Sequence, residues 1–241
     1  MNGWVLTSVV CEPPDRYFSD ITPLTFPIMA AYAELHNMAW EPKIITRAEY
    51  GDFAGKGPAP HGTASVYASI PHRRRLLDRY EGVVFMDSDT VIMRADVDIC
   101  KAVTPQQPIS TEPACNCATM VLLSCDKTKE MLNYIWDMRH GAKHRQWLEQ
   151  SVYMELMGFD PNYPGDNLPP RWIGETEWTP LRKDLDPRWN MSPFWPVEDP
   201  LSFHPSGVQP FEHRIAMVAR YSQESGVRDT LLNTTTGEKP K

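Results

Sequence analysis

The chain has 241 residues, 41% hydrophobic and 23% charged, ordinary for a globular protein and enough for one large domain or two small ones, of which one is the reading taken here. A formal net charge of −7 argues against a general nucleic-acid surface, so an anionic ligand would need a metal ion or a local basic patch. No run reaches the ~20 apolar residues that span a bilayer, and Met1-Asn2-Gly3-Trp4 lacks the basic region of a signal peptide, so the expectation is a cytoplasmic protein without a transmembrane segment.

Trp4 to Val10 is apolar and β-branched and reads as the first strand. It ends in the turn-forming Cys11-Glu12-Pro13-Pro14-Asp15, followed by Arg16, Tyr17 and Phe18. In a nucleotide-binding α/β fold this first loop commonly meets the base. That makes Asp15, Arg16 and Tyr17 candidates, against the plainer reading of a capped turn with a surface aromatic. Leu24, Ile28, Ala31 or Tyr32, and Leu35 have helical spacing within Pro23–Met38. Trp40 to Thr46 reads as the second strand. Gly51 to Gly62 is a loop without the Gly-x-Gly-x-x-Gly order of a dinucleotide site. Thr63 to Tyr80 reads as a helix interrupted at Pro71. It carries His72-Arg73-Arg74-Arg75, the densest basic cluster of the chain, mostly a solvated face. One or two of these side chains are within reach of a diphosphate on a neighbouring strand edge.

Gly82-Val83-Val84-Phe85-Met86-Asp87-Ser88-Asp89 is the most informative stretch. The apolar run suits a strand buried on both faces. Side chains at i and i+2 of an extended chain point the same way, so Asp87 and Asp89 converge on one point. Hard divalent cations take such carboxylates. Ligands of open α/β sheets bind beyond the carboxyl ends of strands. The competing explanation is a turn or helix cap built from Asp and Ser.

Asp96–Val103 reads as a short helix or turn, and Gln107–Thr111 and Cys117–Ser124 as strands. Lys127–Arg139 and Gln146–Met157 read as helices, the second with Glu149 and Gln150 near its first turn. Phe159–Pro170 is a proline-rich loop, with short strands expected at Arg171–Glu175 and near Trp189-Asn190. Leu201 to Gly207 ends a strand in a turn that carries His204. Phe211–Tyr221 is the last helix. One domain over 1–221 and a flexible tail over 222–241 follow. Five cysteines read as reduced thiols, the alternative being two disulfides and a spare thiol.

In this order the motifs resemble retaining glycosyltransferases with a GT-A-type, Rossmann-like fold, whose mostly parallel central sheet is flanked by helices. The nearer likeness is to the yeast mannan galactosyltransferase and plant xyloglucan xylosyltransferase family, the more distant one to the glycogenin-like family. Ser69 to Leu77 leading to Phe85-Met86-Asp87-Ser88-Asp89, Asn116 to Ser124, Glu149-Gln150-Ser151, and His204-x-x-Gly207 carry it. The resemblance implies a metal-dependent transferase moving a hexose or pentose from a nucleoside diphosphate sugar, uridine diphosphate by analogy, to a glycan or other hydroxyl acceptor. It implies Mn²⁺ or Mg²⁺ on Asp87, Asp89 and His204. Gln150 and Glu149 would act at the anomeric carbon, and Asn116, Arg73, Asp15, Tyr17 and Ser88 would bind substrate. The chain departs from the family at Glu149 for aspartate, Cys117-Ala118 for glycine, Ser69 for a basic residue and Pro205 for an aromatic. Two rivals are a degenerate domain that only binds nucleotide sugars or glycans, and a haloacid-dehalogenase-like phosphatase built on Asp87 and Asp89.

Overall fold

A computed structural model describes residues 2–13, 15–50, 60–112, 116–142, 148–161, 171–193, 196–205 and 208–228. The strands and helices are β1 (Asn2–Thr7), β2 (Val9–Cys11), α1 (Thr22–Leu35), β3 (Ala39–Trp40), β4 (Lys43–Ile45), α2 (Arg47–Tyr50), α3 (Pro60–Leu76), β5 (Tyr80–Met86) and β6 (Val91–Ile92). They continue with β7 (Ile109–Thr111), β8 (Thr119–Leu123), α4 (Asp126–Asp137), α5 (Arg139–Ala142), α6 (Glu149–Leu156), β9 (Arg182–Asp184), β10 (Ser202–Phe203) and α7 (Phe211–Glu224). A π-helical turn over Tyr17–Ile21 leads into α1.

The central sheet has the order β3-β1-β5-β8-β7-β9. Only β8 runs against the others, pairing antiparallel with β5 and β7. The remaining pairs are parallel. Side chains alternate across the sheet with period 2. Val83 and Phe85 enter one core with Tyr67 and Ile70 of α3, Met131 and Leu132 of α4, and Val152 of α6. Val84 and Met86 enter the other, with Ile28, Met29 and Tyr32 of α1 and Val218 of α7. A strand buried on both faces has no polar alternation, which is why Val83–Met86 is uniformly apolar.

Gly82 sits opposite Trp4 in the β1–β5 register. A Cβ there would lie 2.3 Å from the Trp4 ring, so the glycine lets the indole lie flat on the strand. The end of α6 is closed by a Schellman pair: Phe159 N–H donates to Met154 O (2.8 Å) and Gly158 N–H to Glu155 O (3.2 Å). Gly158 has φ +84°, and a Cβ would meet Gly174 O at 2.0 Å. Gly158→Ala is therefore expected to destabilise by about 2–3 kcal/mol. A urea midpoint lowered at unchanged slope measures it.

The structure corrects several boundaries. The first strand breaks at Ser8, and the second divides into β3 and β4. Helix α3 begins at Pro60, so the expected loop does not extend to Gly62, and it runs through Pro71 without interruption. Its Tyr67, Ile70 and Leu76 are buried, and that packing offsets the hydrogen bond lost at proline. Trp189-Asn190 lies in a 3₁₀ turn (Pro187–Asn190) rather than a strand. Trp172 forms only an isolated bridge to Phe159, and β9 was not foreseen. Helix α7 continues to Glu224, Ser225 Oγ donates to Ile92 O (2.5 Å), and Val227 is buried. Residues 51–59, 162–170 and 229–241, with Cys115, Gln146 and Gly207, lie outside the described residues. Among the described residues, Cys11, Cys100, Cys117 and Cys125 form no disulfide with one another. Among the described residues no helix is long and apolar enough to cross a membrane.

Candidate active site

The site lies at the carboxyl edge of β5. Asp87 N–H donates to Ala118 O (2.7 Å), which continues the β5–β8 ladder by one residue, and Thr90 N–H returns to Asp87 O (3.0 Å). Thr25 Oγ1 on α1 donates to Ser88 O (2.6 Å) and fixes this turn. Strand β6 then pairs antiparallel with β10, Val91 opposite Phe203. The residue after Phe203 is therefore delivered to the Asp-Ser-Asp turn, and that residue is His204. Its N–H is held by Met191 O (2.9 Å).

His204 Nε2 lies 3.3 Å from Asp89 Oδ1 and 3.6 Å from Asp87 Oδ2. One ligand atom from each of the three residues lies within 4.8 Å of the others. Neighbouring ligands on a six-coordinate ion with bonds near ~2.1 Å stand ~3 Å apart, so this spacing fits a divalent cation after a small adjustment. Asp89 and His204 are buried, whereas the Asp87 side chain is 41% exposed. The site is thus closed on the protein side and open on one face, as a substrate-binding metal site requires.

Without a cation the three groups share protons. The partial desolvation of the half-buried Asp87 pushes it up to about 7, with His204 opposing the rise and Asp89 adding to it. Burial also works against the Asp89 charge, but His204 and Arg214 outweigh it and hold that carboxyl below its ordinary value. For His204 burial favours the neutral ring, yet Asp89 and Asp87 raise its pKa above the usual value. Metal binding needs Asp87 ionised and His204 neutral, so it releases protons. Affinity for Mn²⁺ is expected to rise between about pH 6 and 8, by up to ~10-fold per unit for each proton released. Titration followed by the electron spin resonance of free Mn²⁺ checks it; a flat profile contradicts it.

Arg73 and Glu149 approach the same edge. Arg73 is buried, its side chain turned inward from α3. Its guanidinium donates to Ser69 O (3.3 Å), Ser69 Oγ (2.8 Å) and Met120 Sδ (2.8 Å) and lies 4.5 Å over the Phe85 ring. Its charge acts on Glu149 and Asp87. Arg74, by contrast, pairs with Asp78, and Arg75 is exposed. Burial lifts Glu149 to about 7, Arg73 pulling the other way. Leu148, just before it, has φ +51°, a conformation that a leucine rarely adopts and that sets the direction in which α6 starts. Gln150 is half-buried beside Glu149.

No family model matches the sequence, and no curated protein matches it either. Solved structures do match the fold. A glycosyltransferase involved in the glycosylation of the major capsid of PBCV-1 is 14% identical with a TM-score of 0.58, over 90% of this chain and 99% of that one. The galactosyltransferase LgtC, solved in complex with donor and acceptor sugar analogs, is 9% identical with a TM-score of 0.52, over 92% and 96%. The apo form of the glycosyltransferase GlyE of Streptococcus pneumoniae TIGR4 is 10% identical with a TM-score of 0.52, over 98% and 64%. The chain has the GT-A glycosyltransferase fold.

The phosphatase alternative requires its aspartates on the first strand. In this GT-A sheet they follow β5, with β1 and β3 before it in the chain, and that reading is dropped. The other candidates divide. Tyr17 lies beside the Asp87–Asp89–His204 cluster: burial and the charges of Asp89 and Asp87 raise its phenol. Asp15 Oδ1 accepts from Tyr17 N–H (2.9 Å) and so shapes the first loop. Asn116 Oδ1 accepts from Ala118 N–H (2.9 Å), and the part of Ser88 tied into the GT-A scaffold is its carbonyl. Three further residues near the cluster were not singled out in the sequence. Arg214 of α7 donates to Asp89 Oδ2 (3.1 Å) and to the Tyr17 hydroxyl. Glu112, after β7, is buried with a strongly raised pKa caused by desolvation, and Asn190 Nδ2 donates to it. Glu112 and Asn190 are brought together only by the fold.

Proposed function

We propose that the protein is a metal-dependent glycosyltransferase that moves a hexose or pentose, with retention, from a nucleoside diphosphate sugar to a hydroxyl acceptor such as a glycan. The observation that carries this is the convergence of Asp87, Asp89 and His204 at the carboxyl edge of a GT-A sheet. A bound Mn²⁺ or Mg²⁺ would supply Lewis acidity toward the departing diphosphate. Asp87 and Asp89 supply the hard oxygen ligands, and His204 contributes a lone pair only in its neutral form.

The chain's own groups do the rest. Arg73 provides a fixed buried cation near the reacting centre. Glu149 carries a proton at neutral pH for part of the time, so it donates to a sugar hydroxyl as readily as it accepts from one. Gln150 has no ionisable group and steadies an oxocarbenium-like centre through its amide oxygen. Asn116 contacts the sugar, and Tyr17 and Asp15 shape the nucleotide end. A neutral, hydrogen-bonding Glu149 also favours a second reading, a domain that binds nucleotide sugars without transferring them.

A thermal-shift panel of UDP, GDP, ADP and CDP sugars, with and without Mn²⁺, tests both. A ligand that binds only the native state raises the melting temperature by mass action. Metal-dependent stabilisation followed by sugar release or transfer supports the enzyme. Stabilisation with no turnover supports the binding domain. No shift with any member of the panel overturns both readings.

A further inference from the structure

Arg214 has an arrangement that ordinary packing does not require. Its side chain is 12% exposed. One amino group, Nη1, is fixed by both Tyr17 Oη and Asp89 Oδ2. Its Nε is buried without a partner, and Nη2 makes no hydrogen bond among the described residues. The Tyr17 side is held in turn by the rest of α7: the Tyr17 and Phe211 rings lie 5.0 Å apart, and Arg16 pairs with Glu212 at 2.8 Å. The guanidinium is therefore prepositioned and leaves donors unused.

Asp89 divides its two oxygens. Oδ1 faces His204 and Oδ2 faces Arg214. A divalent cation taken up between Asp87, Asp89 Oδ1 and His204 has its charge cancelled by the two carboxylates. The charge of Arg214 is then left over, one carboxylate away from the ion, for whatever anion enters through the open face. We propose that Arg214 is a binding residue for the diphosphate of the donor, with Tyr17 and Asp89 holding its guanidinium in position. This rests on the nucleotide-sugar reading above. It assigns the diphosphate cation to α7, not to the basic cluster of α3, where only Arg73 turns inward.

The test compares Arg214→Met and Arg214→Lys with the unmodified chain in three titrations. The first is Mn²⁺ alone, followed by electron spin resonance. The second is UDP, GDP, ADP and CDP at saturating Mn²⁺, by calorimetry. The third is inorganic pyrophosphate at the same Mn²⁺ concentration. Arg214→Met is expected to leave Mn²⁺ affinity unchanged or tighter, because a neighbouring cation has gone. It should weaken the best nucleoside diphosphate and pyrophosphate alike, by about 10- to 100-fold. Arg214→Lys should recover part of the loss. Equal losses for Mn²⁺ and diphosphate would mean that Arg214 only props Asp89, and would overturn the proposal. So would a loss for the nucleotide but not for pyrophosphate, which would make it a support of the first loop through Tyr17, and so would no loss at all. If the unmodified chain binds none of these anions with Mn²⁺, the transferase reading itself fails, and this inference with it.

Discussion

Asp89→Asn is expected to lower donor turnover by about 10³-fold or more while leaving the fold assembled. The amide keeps the shape of the carboxylate but removes the charge that a bound cation and the neighbouring Arg214 guanidinium require. Asp89 is the better choice of the two aspartates because its side chain is only 4% exposed and it faces both His204 and Arg214. The same change leaves Arg214 without its anionic partner, so a modest loss of stability, about 1–3 kcal/mol, should accompany it. The sign with pH is fixed. The Asp89 carboxyl is held below its ordinary value, so its stabilising contribution is present above the unfolded pKa and is lost as pH falls through the folded one. The asparagine variant should lack that part of the acid dependence. Turnover of the best donor in Mn²⁺, together with far-ultraviolet circular dichroism, decides it. Full activity in a folded Asp89→Asn protein would remove the metal site from the mechanism.

Glu149→Ala should have the second-largest effect, about 10²- to 10³-fold in turnover, and Glu149→Gln a much smaller one. The reason lies in its surroundings. Glu149 is half-buried, and desolvation pushes it up to about 7, with Arg73 opposing the rise and the Asp87 charge adding to it. A carboxyl in that state is well suited to hydrogen bonding and poorly suited to permanent service as an anionic nucleophile. Glutamine preserves the hydrogen bonds, so it should retain much of the activity. If instead Glu149 forms a covalent glycosyl intermediate, both variants should be inactive, and azide should rescue the alanine variant by giving a glycosyl azide of inverted configuration. Assay of both variants with and without azide separates the two routes.

The parts of this molecule that follow from local periodicity were legible in the sequence. Val83–Met86 announced a doubly buried strand, and the i, i+2 aspartates announced convergence. Met131, Leu132 and Ile135 marked the buried face of α4. What failed to show depended on tertiary packing. Pro71 reads as a break, yet α3 runs on to Leu76, held by what it packs on. Cys117–Ser124 read correctly as a strand, but nothing local says that β8 runs against its neighbours. The lone Arg182–Asp184 stretch has three polar residues and pairs with β7 at the sheet edge, where apolar signal is weakest. At the site, His204 was found through its motif. Arg214 and the Glu112–Asn190 pair carried no local signal, because their meaning comes from residues more than seventy positions away.

The pairing of β6 with β10 joins residues 91–92 to residues 202–203, and Asp89 is met by Arg214 from still farther along. A nascent chain that has emerged only as far as β9 can assemble most of the central sheet and carries both aspartates, but it lacks the His204 imidazole and the Arg214 guanidinium that face Asp89. Competence should therefore arrive in a single step, when α7 has emerged and docks. Truncation before residue 200 is expected to yield a collapsed but inert product rather than a partly active one.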